Sequence, residues 1–481
     1  MSLLELFFKE LNEKAINYCH WKSIDRMDEV MHGKTDIDIL IDYKQTATFN
    51  TVLSAFNAIA VRPRSWMTYP AMEDYILYDK NSGLFYHIHL HYKLIMGKKN
   101  AKEYILPLEK TYLETRMKHH KYDTYVVNPE LDLIMLLLRY SVKYTYSQKK
   151  YQHIRGLKVS EIKELDFLRP RCTQEKLLKY AKEVDDKLQA KGVILNFFKK
   201  SYYKTPLKKI KQLTKLKQSI LLYKRSNTLS VYIIKKARKY LNLYAALGRN
   251  NAKHPVHGGI TIALVGCDGS GKTTVTNTII KDLRVKLSAR KYYMGFNARS
   301  FSIQTKVLAL ISYAPRGAKF ILKGNLGKKI NLLGQLIIEY GGYLDRKKLY
   351  IQSIKDKANG MIGFYERFPL KNTIDYPQCL YNEESLRLLE DSKLLTKLKD
   401  RLEFKYKMFE PADVNIFINT PTKVIRERRA MSDKTFEKVC RKYNRVENYI
   451  NKNNYFVTID GQKPLEDVVL NVKNVIFKQL C

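Results

Sequence analysis

Residues 259–274, GITIALVGCDGSGKTT, decide the fold of the C-terminal half of the chain. Gly259–Val265 is apolar and rich in β-branched side chains, which predicts a buried strand. Gly266–Thr273 then matches the pattern G-x-x-x-x-G-K-S/T, and Val275–Leu283 has a helical pattern. A strand, a glycine-rich loop and a helix in this order predict a phosphate-binding P-loop.

The residue types of this loop suit phosphate binding. Gly266, Gly269 and Gly271 let backbone N–H groups approach phosphate oxygens where larger side chains would clash. The helix N-terminus that follows favours negative charge. We expect Lys272 to reach the β- and γ-phosphates of a nucleotide and the Thr273 hydroxyl to hold Mg²⁺. The alternative is an ordinary glycine-rich turn between a strand and a helix.

Length and composition set the frame around the loop. The 481 residues suggest about three domains, or two with a substantial connector. A hydrophobic fraction of 45% is enough to build cores, which excludes a mainly disordered chain. The net charge of +40 predicts attraction to polyanions, namely nucleic acid, anionic membrane surfaces or phosphorylated substrates. The alternative is that the excess of lysine reflects the base composition of an AT-rich genome.

The charge is concentrated in a connector. Residues 187–267 contain 18 Lys and Arg and no acidic residue. Apolar residues recur at helical spacing over 207–220 and again over 231–244, with a break and helix cap at Ser226-Asn227-Thr228. Such basic amphipathic helices lie on anionic membranes or pack on neighbouring helices with their lysines in water. The predicted domains are 1–150, the connector 151–257, and 258–481.

The cysteines and the hydropathy of the chain indicate the cellular compartment in which we expect the protein. The six cysteines are scattered and form no C-x-x-C pair, which fits a reducing cytoplasm better than a zinc site or a disulfide framework. The N-terminus lacks the features of a secretory signal, and no stretch of about 18 apolar residues is present. We therefore expect a cytoplasmic protein, with peripheral contact at the inner face of the membrane as a further expectation.

Motifs beyond the loop resemble the thymidylate kinase family, whose loop reads G-x-D-G-x-G-K-S/T-T. The resemblance covers about Gly258 to the C-terminus, in the order of the family. It rests on GCDGSGKTT in the loop, Asp345-Arg346, Glu366-Arg367-Phe368, Pro411-Ala412-Asp413 before VNIFINTP, the arginines from Arg426 to Arg429, and VTIDGQKPLEDV at 457–468. It implies a three-layer α/β/α P-loop kinase fold with a parallel sheet.

The resemblance also implies ATP and Mg²⁺ as cofactors and a set of site residues. Nucleotide binding is expected from Gly266, Asp268, Gly269, Ser270, Gly271, Lys272, Thr273 and Thr274. Catalytic roles are expected for Lys272, Arg426, Arg429 and Glu366, with Arg441 and Arg445 as further candidates for the lid. Acceptor contacts are expected from Asp268, Arg299, Arg346 and Arg367. For any one of these arginines, the alternative is a place on the solvent-exposed face of a helix, without a role in the site.

One segment departs from the family. Where the family has Arg-Glu-Pro-Gly-Gly-Thr to hold its acceptor, this chain has Tyr292–Arg299, YYMGFNAR. Residues 284–335 around it contain eleven Lys and Arg and no acid. Thymidine monophosphate is therefore not expected as the substrate, and the acceptor is either another nucleoside monophosphate or a sugar or glycan, including a lipid-linked one.

A second motif lies near the N-terminus, in Gly33–Ile41, GKTDIDILI. Asp36 and Asp38 lie at i and i+2 of a predicted strand, so both carboxylates share one face and can bind one metal ion. The segment resembles the nucleotidyltransferase superfamily, in which D-x-D holds Mg²⁺ against nucleotide phosphates. Lys22-Ser23 stands where that family has Gly-Ser. An α+β nucleotidyltransferase-like domain is the implied fold.

The third carboxylate of that family is not found at its expected place. The neighbouring predicted strand offers His87, His89 and His91 on one face instead. These histidines either ligate a transition metal or form hydrogen bonds around an anionic ligand. The sequence leaves both readings open.

Three functions compete at this point. The first is ATP-dependent phosphoryl transfer by the C-terminal domain to a nucleoside monophosphate or sugar acceptor. The second is a metal-dependent nucleotidyltransferase that uses the P-loop domain as a nucleotide sensor. The third is a basic adaptor that binds a membrane or, less favoured, nucleic acid.

Overall fold

The computed structural model describes residues 1–63, 67–97, 101–143, 159–201, 210–225, 228–247, 253–295, 302–313, 315, 324–369 and 383–480. Contacts divide the chain into two compact units, Met1–Lys253 and His254–Cys481. Arg299 lies outside the described residues, as do Ser226 and Asn227 of the expected break Ser226-Asn227-Thr228.

A mixed β-sheet forms the centre of the first unit. Its strands lie in the order β3-β4-β5-β2-β1-β9-β8, and β6 pairs with β7 separately. The strands are β1 (Tyr18–His20), β2 (Ile37–Ile41), β3 (Ile59–Arg62), β4 (Met72–Tyr78), β5 (Phe85–His91), β6 (Leu94–Met96), β7 (Tyr104–Leu106), β8 (Met117–Lys118) and β9 (Tyr125–Val126). Strand β2 pairs in parallel with β5 and antiparallel with β1, while β4 pairs antiparallel with β5.

The structure confirms the strand that the alternation in DIDILI predicted, with the bounds Ile37–Ile41. Ile37 and Ile39 are fully buried in the core, and Asp36 and Asp38 therefore share the other face of the strand. The register places Asp38 opposite His89 of β5, and His89 opposite Asp74 of β4. The polar side chains of three adjacent strands meet on one face of the sheet.

Helices enclose this sheet and extend through the expected connector. They are α1 (Leu3–Glu13), α2 (Met27–Met31), α3 (Thr46–Ala55), α4 (Glu109–Glu114), α5 (Pro129–Lys143), α6 (Val159–Leu168), α7 (Gln174–Lys187), α8 (Val193–Ser201), α9 (Ile210–Ser219) and α10 (Thr228–Leu247). Leu177 of α7, Phe198 of α8 and Leu213 of α9 are buried in the same hydrophobic core as the strands. The helices assigned from sequence to a connector thus belong to the first unit.

The second unit is built on a parallel sheet. Its strands lie in the order β12-β13-β11-β14-β15, and every pairing among them is parallel. The strands of this unit are β10 (His254–Pro255), β11 (Thr261–Val265), β12 (Ala289–Tyr293), β13 (Ile362–Glu366), β14 (Val414–Asn419) and β15 (Phe456–Asp460). The strands predicted from GITIALV, VNIFINTP and VTIDGQKPLEDV are thereby confirmed.

Helices pack on this sheet between the strands. They are α11 (Lys272–Leu283), α12 (Ile303–Ile311), α13 (Asn325–Ala358), α14 (Glu383–Glu390), α15 (Lys393–Tyr406), α16 (Thr422–Arg428), α17 (Asp433–Asn451) and α18 (Leu465–Leu480). Ala263 of β11 shares one core with residues of α13, α14 and α15. Its buried neighbours Ile262 and Leu264 point to the opposite face because side chains alternate along a strand. The unit is a mixed α/β fold with a parallel sheet.

Parallel strands gather their carboxyl ends at one edge, where ligands of such sheets bind. At this edge β11 leads into Gly266, β13 ends at Glu366 and β14 ends at Asn419. The order of the strands also reverses here, because β11 lies between β13 and β14. The candidate site lies at this position.

Candidate functional site

The loop from Gly266 to Gly271 connects strand β11 to helix α11. Gly269 and Gly271 adopt φ angles of +94° and +90°, which L side chains rarely do. A Cβ on Gly269 would lie 2.8 Å from Cγ2 of Ile425, whereas a Cβ on Gly271 would meet nothing within 4 Å. The loop therefore needs glycine for its backbone conformation, and at Gly269 also for the close approach of helix α16.

Lys272 is the first residue of helix α11, and its side chain folds over the loop. Its ammonium donates hydrogen bonds to the carbonyl oxygens of Gly266, at 2.8 Å, and Cys267, at 2.5 Å. The charge is thus held at the mouth of the loop, beside the N-terminus of the helix, where phosphate oxygens bind in loops of this type.

Thr273 contacts the end of the neighbouring strand. Its hydroxyl donates a hydrogen bond to Oε1 of Glu366. The other oxygen, Oε2, lies 3.1 Å from the ammonium of Lys291 on β12. Glu366 is buried at 9% exposure, so the lysine stabilises a carboxylate that would otherwise be costly to bury. A hydroxyl and a carboxylate side by side are ligands that Mg²⁺ prefers.

Asp268 lies between two cations. Its carboxylate oxygens lie 3.3 Å from the ammonium of Lys442 and 3.6 Å from the guanidinium of Arg367. Burial alone would raise the pKa of Asp268, but Lys442, Lys272 and Arg367 outweigh that effect and lower it. The carboxylate therefore stays ionised at the entrance to the loop. Arg367 itself adopts a left-handed φ of +57°.

The expected lid arginines lie on helix α16 and just after it. Ile425 of this helix packs against Gly269, so the helix contacts the loop directly. Arg426 pairs with Asp433 at 2.6 Å and lies above the ring of Phe436. Arg429 is exposed and caps the C-terminus of the helix. The structure brings the helix to the loop and leaves Arg426 engaged with helix α17.

Arg346 has a different environment from the other expected acceptor residues. Its guanidinium is buried and donates to the carbonyl oxygen of Met294 at 2.8 Å, to Glu339 at 2.6 Å, and to the hydroxyl of Tyr406. Asp345, beside it, accepts a hydrogen bond from the backbone of Ser302. Asp268 and Arg367 thus lie together at the loop, while Arg346 lies in a buried ion pair next to the end of β12.

The first unit holds a second polar cluster, around the D-x-D motif. His87 Nδ1 lies 2.9 Å from one oxygen of Asp36, and His89 Nε2 lies 3.2 Å from the other. Asp38 lies on the same face but pairs with Lys22 at 2.7 Å and with His91 at 3.2 Å. The two aspartates predicted to share one metal therefore have separate partners.

Sequence reasoning missed two members of this cluster. Asp74 Oδ1 lies 2.9 Å from His89 and 3.2 Å from His87, so it is a third carboxylate on a neighbouring strand. Lys253 contacts Asp74 and lies 2.6 Å from His87 Nε2. The alternation of Met72–Tyr78, MEDYILY, was a signal for a strand carrying Asp74, whereas no pattern marked Lys253.

Burial and hydrogen bonding shift the pKa values of this cluster in opposite directions. Burial would raise the pKa values of Asp36 and Asp74, but hydrogen bonds from His87 and His89 outweigh it and hold both pKa values well below the ordinary range. For His91 burial dominates and lowers the pKa to about 4. The carboxylates are therefore ionised near neutral pH, and His91 is a neutral imidazole.

A cavity of about 220 Å³ opens beside the cluster. Its walls carry both acidic and basic groups: His20, Lys22, Ser23, Arg26, Val30, Thr35, Asp36, Asp38, Met72, His89 and Lys102. Ser23 adopts a left-handed φ of +55°, a strained conformation for a serine. A larger, open groove of about 1670 Å³ in the second unit is lined by helices α14 and α15 and lies away from the P-loop.

Comparison with known proteins found a likeness among solved structures. No protein family matches the chain, and no curated protein matches it. Among solved structures, a thymidylate kinase from Candida albicans is 16% identical, covers 47% of this chain and 94% of its own, and has a TM-score of 0.31. None of the helices in the described residues is both long and apolar enough to cross a membrane.

Proposed function

We propose that the second unit is an ATP-dependent phosphotransferase, a kinase that transfers the γ-phosphate of ATP to an acceptor. The observation that carries this proposal is the contact between Thr273 and Glu366 at the carboxyl edge of the parallel sheet. Lys272, on the same helix, holds its ammonium over the loop. A P-loop lysine, a hydroxyl and a carboxylate are the parts that phosphoryl transfer from a magnesium nucleotide requires.

The side chains present fit Mg²⁺. The Thr273 hydroxyl and the Glu366 carboxylate are hard oxygen donors, and Glu366 is buried beside Lys291. Mg²⁺, when bound, neutralises charge on the phosphate oxygens. Thr273 would hold it directly, and Glu366 would hold it either directly or through a bound water.

The other residues act by position and charge. Backbone N–H groups of the loop and the Lys272 ammonium bind the β- and γ-phosphates and stabilise the charge that spreads over them during transfer. Asp268, ionised between Lys442 and Arg367, faces the acceptor and orients it toward the γ-phosphate. Arg426 reaches a phosphate only after it releases Asp433, which makes helix α16 a lid whose cation is delivered on closure.

The acceptor is proposed as a nucleoside monophosphate or a sugar or glycan. Support for the second class comes from the departure at Tyr292–Arg299 and from the acid-free stretch 284–335. Within the described part of that stretch, Met294 and Gly295 follow directly on β12, next to Arg367. An anionic or large acceptor fits the positive charge of this stretch.

The test measures ADP release from Mg·ATP with a panel of nucleoside monophosphates, sugars and polyprenyl-linked sugars. Lys272→Ala is compared with Lys281→Ala, an exposed lysine on the same helix. The proposal expects acceptor-dependent ADP release that only Lys272→Ala abolishes. Steeply salt-dependent nucleic-acid binding by a protein that turns over no acceptor would favour the adaptor instead.

A metal-dependent nucleotidyltransferase in the first unit is the second candidate. The cavity favours it, because Asp36 and Asp38 line one side while Lys22, Arg26 and Lys102 line it as well. Carboxylates for a metal and cations for phosphates are the groups that such transfer uses. This function expects pyrophosphate release that an Asp36→Asn/Asp38→Asn variant loses and Lys272→Ala retains.

A further inference from the structure

We propose that the first unit binds a divalent transition-metal ion of the zinc class through Asp36, His87 and His89, with Asp74 as the carboxylate that orients the two imidazoles from their other ring nitrogens. This site differs from one shared by the D-x-D pair, because Asp38 is engaged with Lys22 and His91. It is independent of the phosphotransferase proposed for the second unit.

The spacing of the ligand atoms fits a small coordination sphere. One ligand atom each from Asp36, His87 and His89 lies within 4.8 Å of the others. The carboxylate oxygens of Asp36 lie 2.9 Å from His87 Nδ1 and 3.2 Å from His89 Nε2. Ligands about 2.0–2.1 Å from a tetrahedral Zn²⁺ are separated by about 3.3 Å, so these side chains need only small movements to receive an ion.

The chemistry of the donors selects the metal. Two imidazoles and one carboxylate form an N₂O set, and imidazole suits zinc and its neighbours rather than Mg²⁺. Asp74 lies at the other ring nitrogens, 2.9 Å from His89 Nδ1 and 3.2 Å from His87 Nε2, where it can accept a hydrogen bond from each imidazole and orient the ring. Asp36 directly precedes β2, and the other three residues lie on the adjacent strands β4 and β5, so the backbone holds the cluster in place before any ion arrives.

One side of the cluster is closed and the other is open. The side chains of His87 and Asp74 are 5% and 6% exposed, whereas Asp36 is 40% exposed and lines the cavity together with His89. An ion at this place would lie against these buried side chains on one side and would be reached from the cavity on the other. That is the arrangement of metal sites that keep a position for water or substrate.

A cation already lies against this cluster. The ammonium of Lys253 contacts Asp74 Oδ1 and lies 2.6 Å from His87 Nε2. A metal ion bound at His87 Nδ1 needs the proton of that ring on Nε2, facing Asp74, whereas an ammonium that donates to Nε2 favours the opposite tautomer and adds a like charge. It follows that Lys253 competes with the metal, so its removal should strengthen metal binding.

The test titrates the metal-free full-length protein with Zn²⁺, Mn²⁺ and Mg²⁺ by isothermal titration calorimetry. We expect about one Zn²⁺ per chain, bound far more tightly than Mg²⁺, and a loss of affinity of about 100-fold in His89→Gln. His120→Gln, an exposed histidine of the same unit, is the matched control and should bind as the original protein does. No Zn²⁺ binding, equal binding by His89→Gln, or preference for Mg²⁺ would each overturn the proposal.

Two further measurements test the proposed metal site even if His89→Gln does not fold. Lys253→Gln should raise the Zn²⁺ affinity by about tenfold, since it removes the competing ammonium. The Co²⁺-loaded original protein should show the intense visible absorption of a four-coordinate site. Unchanged or weaker Zn²⁺ binding by a folded Lys253→Gln, or a Co²⁺ spectrum of the six-coordinate aqua type, would identify the cluster as an ion-pair network without a metal.

Discussion

The hydroxyl of Thr273 donates a hydrogen bond to the carboxylate of Glu366. The two residues belong to different elements, since Thr273 lies in the first turn of helix α11 and Glu366 ends strand β13. Their contact couples the P-loop to the neighbouring strand at the carboxyl edge of the sheet. It is the relationship on which the proposed magnesium site depends.

Removal of this hydroxyl should weaken nucleotide binding only when Mg²⁺ is present. Thr273→Ala loses a metal ligand but keeps Lys272 and the backbone N–H groups, so the affinity for ATP in EDTA should be nearly unchanged. We expect the gain in affinity on adding Mg²⁺ to fall by about tenfold or more. Fluorescent ATP-analogue titrations with and without Mg²⁺ measure this gain. Thr278→Ala, five residues further along the helix, is the control, and an equal fall in that variant would argue against a metal role for Thr273.

Gly269 offers a test of the contact between the loop and helix α16. Gly269→Ala adds a Cβ at 2.8 Å from Ile425 and strains a φ of +94°, whereas Gly271→Ala strains a similar φ without a clash. The strain alone costs about 1–2 kcal/mol. We therefore expect Gly269→Ala to weaken ATP binding more than Gly271→Ala does.

The double variant Gly269→Ala/Ile425→Ala separates the two effects. It removes the atom that the new Cβ would meet, so it should recover the difference between the two glycine variants. Calorimetric titration of the four proteins with Mg·ATP gives the comparison. Equal affinities of Gly269→Ala and Gly271→Ala would show that helix α16 does not constrain the loop.

Arg346 should behave as a structural residue in stability measurements. Arg346→Met leaves the buried carboxylate of Glu339 without its partner, and breaking a buried pair costs about 3–5 kcal/mol. Arg346→Met/Glu339→Met removes both charges and should recover most of that loss. Urea unfolding followed by circular dichroism measures the free energies. A folded Arg346→Met of normal stability that loses only acceptor turnover would instead support the acceptor contact implied by the family resemblance.

The buried imidazole of His20 should make the first unit less stable in acid. Burial lowers the pKa of His20 to about 4, from an unfolded value near 6.5. Below about pH 6.5 the unfolded chain binds a proton that the folded unit does not, so stability is complete above that pH and is lost as the pH falls toward 4. The slope contributed by one such group is about 1.4 kcal/mol per pH unit.

The measurement compares urea unfolding of the original protein and His20→Gln between pH 7 and pH 4 by tryptophan fluorescence. Both tryptophans of the sequence, Trp21 and Trp66, fall within the bounds Met1–Lys253 of the first unit, so the signal reports on that part of the chain. The difference in unfolding free energy between the two proteins should shift in favour of the variant as the pH falls. A difference that does not change with pH would show that His20 titrates normally in the folded unit.

Much of the fold was predictable from local pattern. Gly259–Val265 predicted the strand Thr261–Val265, and the helical spacing over 207–220 predicted the helix Ile210–Ser219. Periodicity gives the apolar face of a helix but not the surface that covers it. The burial of Leu213 and Leu216 in the core of the first unit was therefore not visible, and a separate connector was expected.

The candidate site was predictable where its residues are neighbours in sequence. The loop places Lys272 and Thr273 by local geometry alone, and Glu366 was found because it ends a recognisable strand. Contacts between distant segments were not predictable. Lys253 and Asp74 are 179 residues apart, and no spacing in the sequence indicates that they meet. The same holds for Lys442 and Asp268, which are 174 residues apart.

The binding of Mg·ATP to the full-length protein tests the proposed phosphotransferase most directly, because it does not depend on the unknown acceptor. Isothermal titration calorimetry compares the original protein with Lys272→Ala and with Lys281→Ala, the exposed lysine of the same helix. We expect one nucleotide per chain, an affinity reduced by about 100-fold in Lys272→Ala, and no change in Lys281→Ala. Absence of Mg·ATP binding by the original protein, or equal binding by Lys272→Ala, would contradict a nucleotide site at this loop.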